Sequence, residues 1–208
     1  MSNAQKVLLP LADGFEEIEA ITVIDVLRRA GINVLIADLG EAGRSDTGVV
    51  GGAHLVRGAH EIELATDLTI DDVDLAEVEA VILPGGLPGA TNLRDDPRVL
   101  AACKYMADRG RWVAAICAGP IVLAEAGLLD GHEATSYPAF RDRLGSAKVV
   151  TDETVVISGR VMTSSGPGTA LDFALSLVAV LSGPELAVEI SKAMLVEGFA
   201  ERAGLAGA

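Results

Sequence analysis

The stretch KVLLPLADGFEEIEAITVIDVLRRAGINVLIADL, residues 6–39, decides the fold class, because it predicts a strand, a helix and a second strand in that order. Lys6–Leu11 and Asn33–Leu39 are short apolar runs of the kind that form buried strands. Between them, the apolar residues of Glu16–Ala30 recur at helical spacing, and Gly31 follows as a C-cap. This order indicates parallel strands joined by right-handed crossovers.

The same alternation continues through the rest of the chain after an interruption at residues 40–79. There, a turn-rich loop and short alternating segments predict an antiparallel excursion. Because the sequence contains neither a repeat nor a linker, we expect one doubly wound, mostly parallel α/β domain over residues 5–196, with flexible termini at 1–4 and 197–208. Further strands are predicted at Ala80–Leu83 and Trp112–Ile116, a hairpin at Val155–Ile157 and Val161–Met162, and helices at Asp96–Asp108, Gly119–Ala126, Thr169–Leu181 and Pro184–Val196.

The composition favours a cytoplasmic protein with free thiols. Hydrophobic residues make up 50% of the 208 residues but aromatic residues only 3%, which suits helices packed on a sheet of Val, Ile, Leu and Ala. The net charge of −14 argues against nucleic acid or an anionic membrane as a partner. No apolar run has the length of a membrane span, and the N-terminal segment is not typical of a signal peptide. Two cysteines are too few for a disulfide framework.

Sequence motifs for cofactors and metals are also missing. Neither C-x-x-C nor H-E-x-x-H occurs, and there is no phosphate-binding G-x-x-x-x-G-K-[ST] loop. The three histidines, His54, His60 and His132, form no recognisable pattern with a cysteine. We therefore expect no cofactor and no bound metal.

The segment AAICAGP, residues 114–120, is the first candidate for chemistry. It places Cys117 between a predicted strand and a predicted helix, which is the layout of a nucleophile elbow. A helix N-terminus at this point would lower the pKa of the thiol. The alternative is a buried structural cysteine, and spacing alone does not decide between the two. Cys103 lies in the middle of a predicted helix, where a structural role is expected.

Two further loops at predicted strand ends complete the candidate site. Gly85 and Gly86 follow a buried strand, and the amide of Gly86, with that of Ala118, suits a developing oxyanion; the alternative is an ordinary turn. Glu16, Glu17 and Glu19 open the first helix, where acidic residues commonly complement the helix dipole. A carboxyl buried there would be protonated more easily, but spacing does not say which glutamate points inward.

Five segments in this order resemble the ThiJ/PfpI superfamily, in the branch of the Parkinson-disease protein deglycase. They are GFEEIE (residues 14–19), DVLRRAGI (25–32), LPGG (83–86), AAICAGP (114–120) and TSSGPGT (163–169). Any one of these segments is a weak signal, whereas five in order, spanning nearly the whole predicted domain, are a strong one. The resemblance implies a flavodoxin-like sandwich and a homodimer.

The resemblance also implies roles for individual residues. Cys117 matches the family cysteine on the elbow, Glu19 the glutamate that hydrogen-bonds it, and the amides of Gly86 and Ala118 the donors that face the thiol. One departure is that Tyr137 stands where many members have histidine, which leaves a Cys–His dyad, and with it a peptidase, less supported. An arginine that often reaches the site from the partner subunit is replaced near His60, while Arg29 is retained. The expected supporting residues are Gly85, Tyr137, Arg29, Gly166 and Pro167.

The activity implied by the resemblance is glutathione-independent conversion of small α-oxoaldehydes, or deglycation, through Cys117 and Glu19. The first alternative is a cysteine-based oxidative-stress sensor or chaperone-like protein, in which the same thiol would be oxidised to sulfenic and sulfinic acid. The second is a catalytically silent flavodoxin-like binding module, for which a thiol of ordinary pKa is expected. Product formation from an α-oxoaldehyde separates the enzyme from both alternatives.

Overall fold

A computed structural model describes residues 5–40, 49–50 and 53–205, and its central feature is a seven-stranded sheet. The strand order in this sheet is β11-β12-β8-β7-β1-β2-β6. The strands are β1 Lys6–Leu11, β2 Asn33–Asp38, β3 Val49–Val50, β4 Ala53–Arg57, β5 Glu63–Ala65, β6 Leu68–Thr69, β7 Val78–Leu83, β8 Trp112–Ile116, β9 Glu133–Ala134, β10 Lys148–Val149, β11 Val155–Ser158 and β12 Val161–Ser164. The helices are α1 Glu17–Arg29, α2 Gly89–Asp95, α3 Pro97–Asp108, α4 Pro120–Glu125, α5 Ala170–Ser182, α6 Pro184–Ala193 and α7 Phe199–Arg202.

The sheet is parallel except at one edge, where β11 runs antiparallel to β12. Helices α1, α5 and α6 cover one face, and α2, α3 and α4 cover the other, each with its own apolar cluster. The central strands β1, β7 and β8 are buried on both sides, which explains why they are continuous apolar runs without alternation. The predicted doubly wound, flavodoxin-like α/β class is therefore confirmed.

Local sequence signals explain where the helices on each face begin. Helix α1 starts after Glu16, whose side chain accepts a hydrogen bond from the amide of Glu19. Helix α3 starts after Asp96, whose carboxylate caps the amide of Arg98, and Pro97 occupies the first helical position. The predicted bounds of both helices are therefore confirmed to within one residue.

The segment between β2 and β7 confirms the antiparallel excursion and adds one detail. Strands β3, β4 and β5 form a small antiparallel sheet, and β6 then returns to pair parallel with β2 at the edge of the main sheet. Most of the turn-rich loop predicted at residues 40–52 lies outside the described residues.

Four short elements, two helices and two strands, were not predicted. Helix α2 contains Gly89 and Asn92, which are poor helix formers, and packs through the buried Ala90 and Leu93. Strands β9 and β10 pair with each other in parallel. Helix α7 lies inside the C-terminal segment expected to be flexible, and its Phe199 is buried. No helix in the described part of the chain is long and apolar enough to cross a membrane.

Candidate active site

Cys117 lies on a sharp turn between β8 and α4 and has a backbone φ of 62°. A residue with a side chain rarely adopts this left-handed conformation, and it persists only where the surroundings hold it. Here the amide of Cys117 donates to the carbonyl of Ser164 at 3.0 Å, and its carbonyl accepts from the amide of Tyr137 at 2.9 Å. The backbone of Cys117 is thus fixed from both sides, by the end of β12 and by the loop after β9.

Gly85 is the point at which the three candidate loops meet. A Cβ atom at this position would lie 2.6 Å from Cβ of Cys117, 2.7 Å from Oε2 of Glu19 and 2.9 Å from the amide nitrogen of Ala118. Real Cβ atoms do not approach other atoms so closely, so glycine is required for the loops to close on one another.

Gly86 packs the same turn closely against the loop that precedes α1. It has a φ of 86°, and a Cβ there would lie 2.3 Å from the carbonyl oxygen of Gly14. The amide of Glu16 donates to the carbonyl of Gly85 at 3.0 Å. The loops that follow β1, β7 and β8 therefore converge at the carboxyl edge of the sheet, where doubly wound folds bind their ligands.

Glu19 is the glutamate whose carboxyl faces the Cys117 thiol. Its side chain is fully buried, and Oε2 accepts from the amide of Gly85 at 2.7 Å. No N–H or O–H group of the described residues reaches Oε1, which is also buried. Burial is the main cause that raises the pKa of Glu19 to about 7, with a further contribution from the charge of Glu16; the Gly85 amide and the Cys117 thiol act in the opposite direction.

The pKa of Cys117 is raised to about 12, first by burial and then by the charge and hydrogen bond of Glu19. The amides of Ala118 and Gly86 donate to the sulfur and lower this pKa in part. The expectation that a helix N-terminus would leave the thiol with a lowered pKa is therefore wrong, because burial and a neighbouring carboxylate outweigh it. Since the two groups interact strongly, their titrations are coupled.

The other two glutamates of the loop have different partners. Glu16 caps α1 as described, and Glu17 turns away from Cys117 toward His60, whose ring Nδ1 lies 2.9 Å from Oε2 of Glu17. Sequence spacing gave no indication of this pairing, because His60 is 43 residues further along the chain. Ligand atoms of Glu16, Glu17 and His60 lie within 4.8 Å of one another, but Glu17 and His60 already satisfy each other, and we assign them no metal.

The predicted supporting residues are only partly brought to Cys117. Tyr137 is 46% exposed, and its ring lies beside Gly166, where a Cβ would come within 3.4 Å of Cδ2. Pro167 begins the short turn that follows Gly166. Arg29 instead pairs with Asp25 at 2.8 Å, about 15 Å along α1 from Glu19. The backbone carbonyl of Ser164 accepts from the Cys117 amide. The sequence gave no indication of this contact, because the segment that begins at Ser164 is also typical of a helix-capping loop.

Comparison with known proteins identifies a matching family and several similar proteins. The model of the DJ-1/PfpI family matches residues 5–180. The chain is 37% identical over 181 residues to the glutathione-independent glyoxalase DJR-1.2 of Caenorhabditis elegans, covering 86% of this chain and 89% of that protein. It is 37% identical over 191 residues to protein DJ-1 homolog B of Arabidopsis thaliana, covering 91% of this chain but only 41% of that longer protein.

A solved structure agrees with the sequence comparisons. Oxidized DJ-1 of Toxoplasma gondii superposes with a TM-score of 0.82 at 37% identity, and the match covers 92% of this chain and 98% of that chain. At this identity the likeness extends beyond the general fold, so the elements that carry the candidate site lie in a shared architecture.

Proposed function

The chain belongs to the DJ-1/PfpI family, and from this premise we propose that it is a glutathione-independent glyoxalase or deglycase that acts on small α-oxoaldehydes through Cys117 and Glu19. One observation carries the proposal: a thiol on a strained turn, a buried carboxyl and two backbone amides converge on one point. These are the parts of a nucleophile elbow with its proton carrier and its oxyanion donors.

The first step forms a bond between the sulfur and the aldehyde carbon. Glu19 in its ionised form takes the proton of the Cys117 thiol as the sulfur attacks, and the aldehyde oxygen becomes an oxyanion. The amides of Gly86 and Ala118, which donate to the sulfur, support that charge. Glu19 then returns the proton to the oxygen, and the product is a hemithioacetal.

The second step moves hydrogen from the aldehyde carbon to its neighbour. Glu19 removes the proton of the carbon that carries the sulfur, which gives an enediolate. The hydroxyl proton on that carbon passes to the former ketone oxygen, and Glu19 returns its proton to the adjacent carbon. The result is a thioester of a 2-hydroxy acid, which water hydrolyses to the free acid and the thiol. One carbon is oxidised and its neighbour reduced, so that no external oxidant enters. A pKa of about 7 allows Glu19 to act as both base and acid near neutral pH.

The test is the formation of lactate from methylglyoxal in the absence of glutathione. We expect activity in the native protein, none in Cys117→Ala, and little change in Cys103→Ala, the matched control with the second thiol removed. Lactate formation that survives in Cys117→Ala would overturn the proposed mechanism. A native protein that forms no lactate and no other 2-hydroxy acid would overturn the function.

A second candidate function is oxidative sensing by the same thiol. Cys117 is free and partly exposed, and its two amide donors suit the oxygens of a sulfinate. Dilute peroxide should then add about 16 or 32 Da to Cys117, the mass of one or two oxygens. The absence of both species in the intact mass would exclude this role.

We also expect a homodimer, as the resemblance implies. Ile18 and Ile21 on α1 and Ile62 on the β4–β5 hairpin are 57%, 40% and 51% exposed, and the Ile62 amide hydrogen-bonds Glu17 of α1. An exposed apolar patch of this kind marks a surface for another protein, here a second copy. Light scattering should give twice the monomer mass for the native chain and the monomer mass for Ile21→Glu. A native monomer would contradict the expectation.

A further inference from the structure

Glu17 is a buried carboxylate that the proposed reaction does not use. It is only 3% exposed, and its oxygens point to the loop between β4 and β5. Oε1 accepts from the amide of His60 at 2.6 Å and from that of Ile62 at 3.5 Å, while Oε2 faces Nδ1 of His60 at 2.9 Å. A buried charge is costly unless it is paired and hydrogen-bonded, and Glu17 meets both conditions.

The loop that Glu17 holds is packed directly onto the residues before α1. A Cβ at Gly58 would lie 2.2 Å from Oε1 of Glu17, so a side chain at this position would displace the Glu17 carboxylate. Gly58 forms a β-bridge with Phe15, and the amide of Ala59 donates to the carbonyl of Phe15 at 2.8 Å. Residues 58–62 and the start of α1 therefore form one packed unit.

The same start of α1 holds the acid of the proposed reaction. The carboxylate of Glu16 accepts a hydrogen bond from the amide of Glu19 at 2.8 Å, and the amide of Glu16 donates to the carbonyl of Gly85 at 3.0 Å. Glu19 in turn accepts from the amide of Gly85 at 2.7 Å. A displacement of the first turn of α1 would thus move the Glu19 carboxyl relative to the Cys117 thiol.

We propose that Glu17 is a positioning residue for Glu19: by anchoring the first turn of α1 to the loop at residues 58–62, it keeps the carboxyl of Glu19 against the thiol. This inference rests on the proposed function, in which Glu19 carries the proton. Burial alone would raise the pKa of Glu17, but the hydrogen bonds from His60 and Ile62 lower it, and the pKa of His60 is raised by its bond to Glu17. Both shifts favour the charged forms, so the pairing with His60 strengthens the anchor.

The test is the rate at which iodoacetamide alkylates Cys117, followed by intact mass from about pH 7 to about pH 12, because the raised pKa of Cys117 lies at about 12. Glu19→Gln removes the carboxylate that raises the pKa of Cys117, so the midpoint of its profile moves to lower pH. Glu17→Ala should move the midpoint in the same direction by part of that shift. Glu17→Gln, which still accepts from the two loop amides, should restore much of the native profile. The matched control is Glu63→Ala, which removes a surface carboxylate from the same hairpin.

The outcomes separate a positioning role from a merely structural one. A Glu17→Ala profile that coincides with the native one, while the melting temperature falls, would overturn the proposal, as would an equal shift in Glu63→Ala. If Glu17→Ala fails to fold, Glu17→Asp takes its place, because its shorter side chain withdraws the carboxylate from the two loop amides, and a native midpoint in Glu17→Asp overturns the proposal. Alkylation needs no substrate. If the variants show these shifts but the native chain converts no α-oxoaldehyde, the proposed function is overturned while the positioning role of Glu17 stands.

Discussion

The two cysteines of this chain have similarly raised pKa values for different reasons. Cys103 lies on α3, is fully buried among apolar side chains, and burial alone raises its pKa to about 12. Cys117 lies at the end of β8, and its pKa of about 12 comes from burial together with the Glu19 carboxylate, against two amides that lower it. A thiol near a base and amide donors can lose its proton during a reaction, whereas a thiol in an apolar core cannot.

This comparison shows that the neighbours of a thiol, and not its resting pKa, distinguish a reactive cysteine from a structural one. At Cys117 the group that raises the pKa is also the group that can accept the proton. At Cys103, the surroundings contain no such acceptor among the described residues. Four predictions test this difference.

The largest expected difference is in alkylation of the native protein. Cys117 is partly exposed and should react with iodoacetamide in the folded state, whereas Cys103 should react only when the fold opens. For a domain of ordinary stability, opening limits Cys103 to a rate at least about 10³-fold lower. Peptide mapping after short labelling measures both rates. Comparable labelling of the two thiols without denaturant would remove the distinction.

Gly85→Ala should lower α-oxoaldehyde turnover by roughly 10²-fold, because the new Cβ would push apart the Cys117 and Glu19 side chains. The matched control is Gly168→Ala, since a Cβ at Gly168 meets no atom within 4 Å. Steady-state kinetics of both variants check the prediction. Near-native turnover in Gly85→Ala would mean that the close approach of the three loops is not needed for activity.

The sequence predicted most of the fold because the strongest signals are local. Strand β8 was predicted at its observed bounds, since a run of small and branched apolar residues between turn signals has few alternatives. Helix α2 was missed because Gly89 and Asn92 weaken its local signal, and the burial of Leu93 against other elements stabilises it. Local propensity cannot show a contact made by distant residues.

The candidate site was predicted to the level of loops but not of side chains. Glu16 caps one helix, and Glu17 and Glu19 lie in its first turn, so helical spacing cannot rank them. Their roles are set by groups that approach from elsewhere, the Gly85 amide for Glu19 and the loop at residues 58–62 for Glu17. The direction of the thiol pKa was also wrong, because the dipole argument contained neither burial nor the charge of Glu19.

Glu19→Gln should stabilise the fold at high pH while it impairs the chemistry. A carboxyl whose folded pKa is raised from 4.5 to about 7 makes unfolding more favourable as the pH rises through that window. Glutamine does not titrate, so the stability advantage of the variant should be near zero below that window and reach at most roughly 3 kcal/mol above it. Urea unfolding at several pH values measures this gain. A pH-independent difference would contradict the raised pKa of Glu19.

Cys103→Ala should have the smallest effect, and it acts on stability alone. The loss of a buried sulfur among apolar neighbours on α3 leaves a small cavity, which costs on the order of 1 kcal/mol of unfolding free energy. Turnover and the alkylation profile of Cys117 should stay at native values, because Cys103 lies on α3 in the apolar cluster of the α2–α4 face and is not among the groups that set the pKa of Cys117 or of Glu19. Urea unfolding at one pH measures the loss of unfolding free energy, and steady-state kinetics measure the turnover. If turnover falls in proportion to the loss of stability, a change in the packing of α3 alters the Cys117 turn through β8, and the two thiols belong to one coupled region.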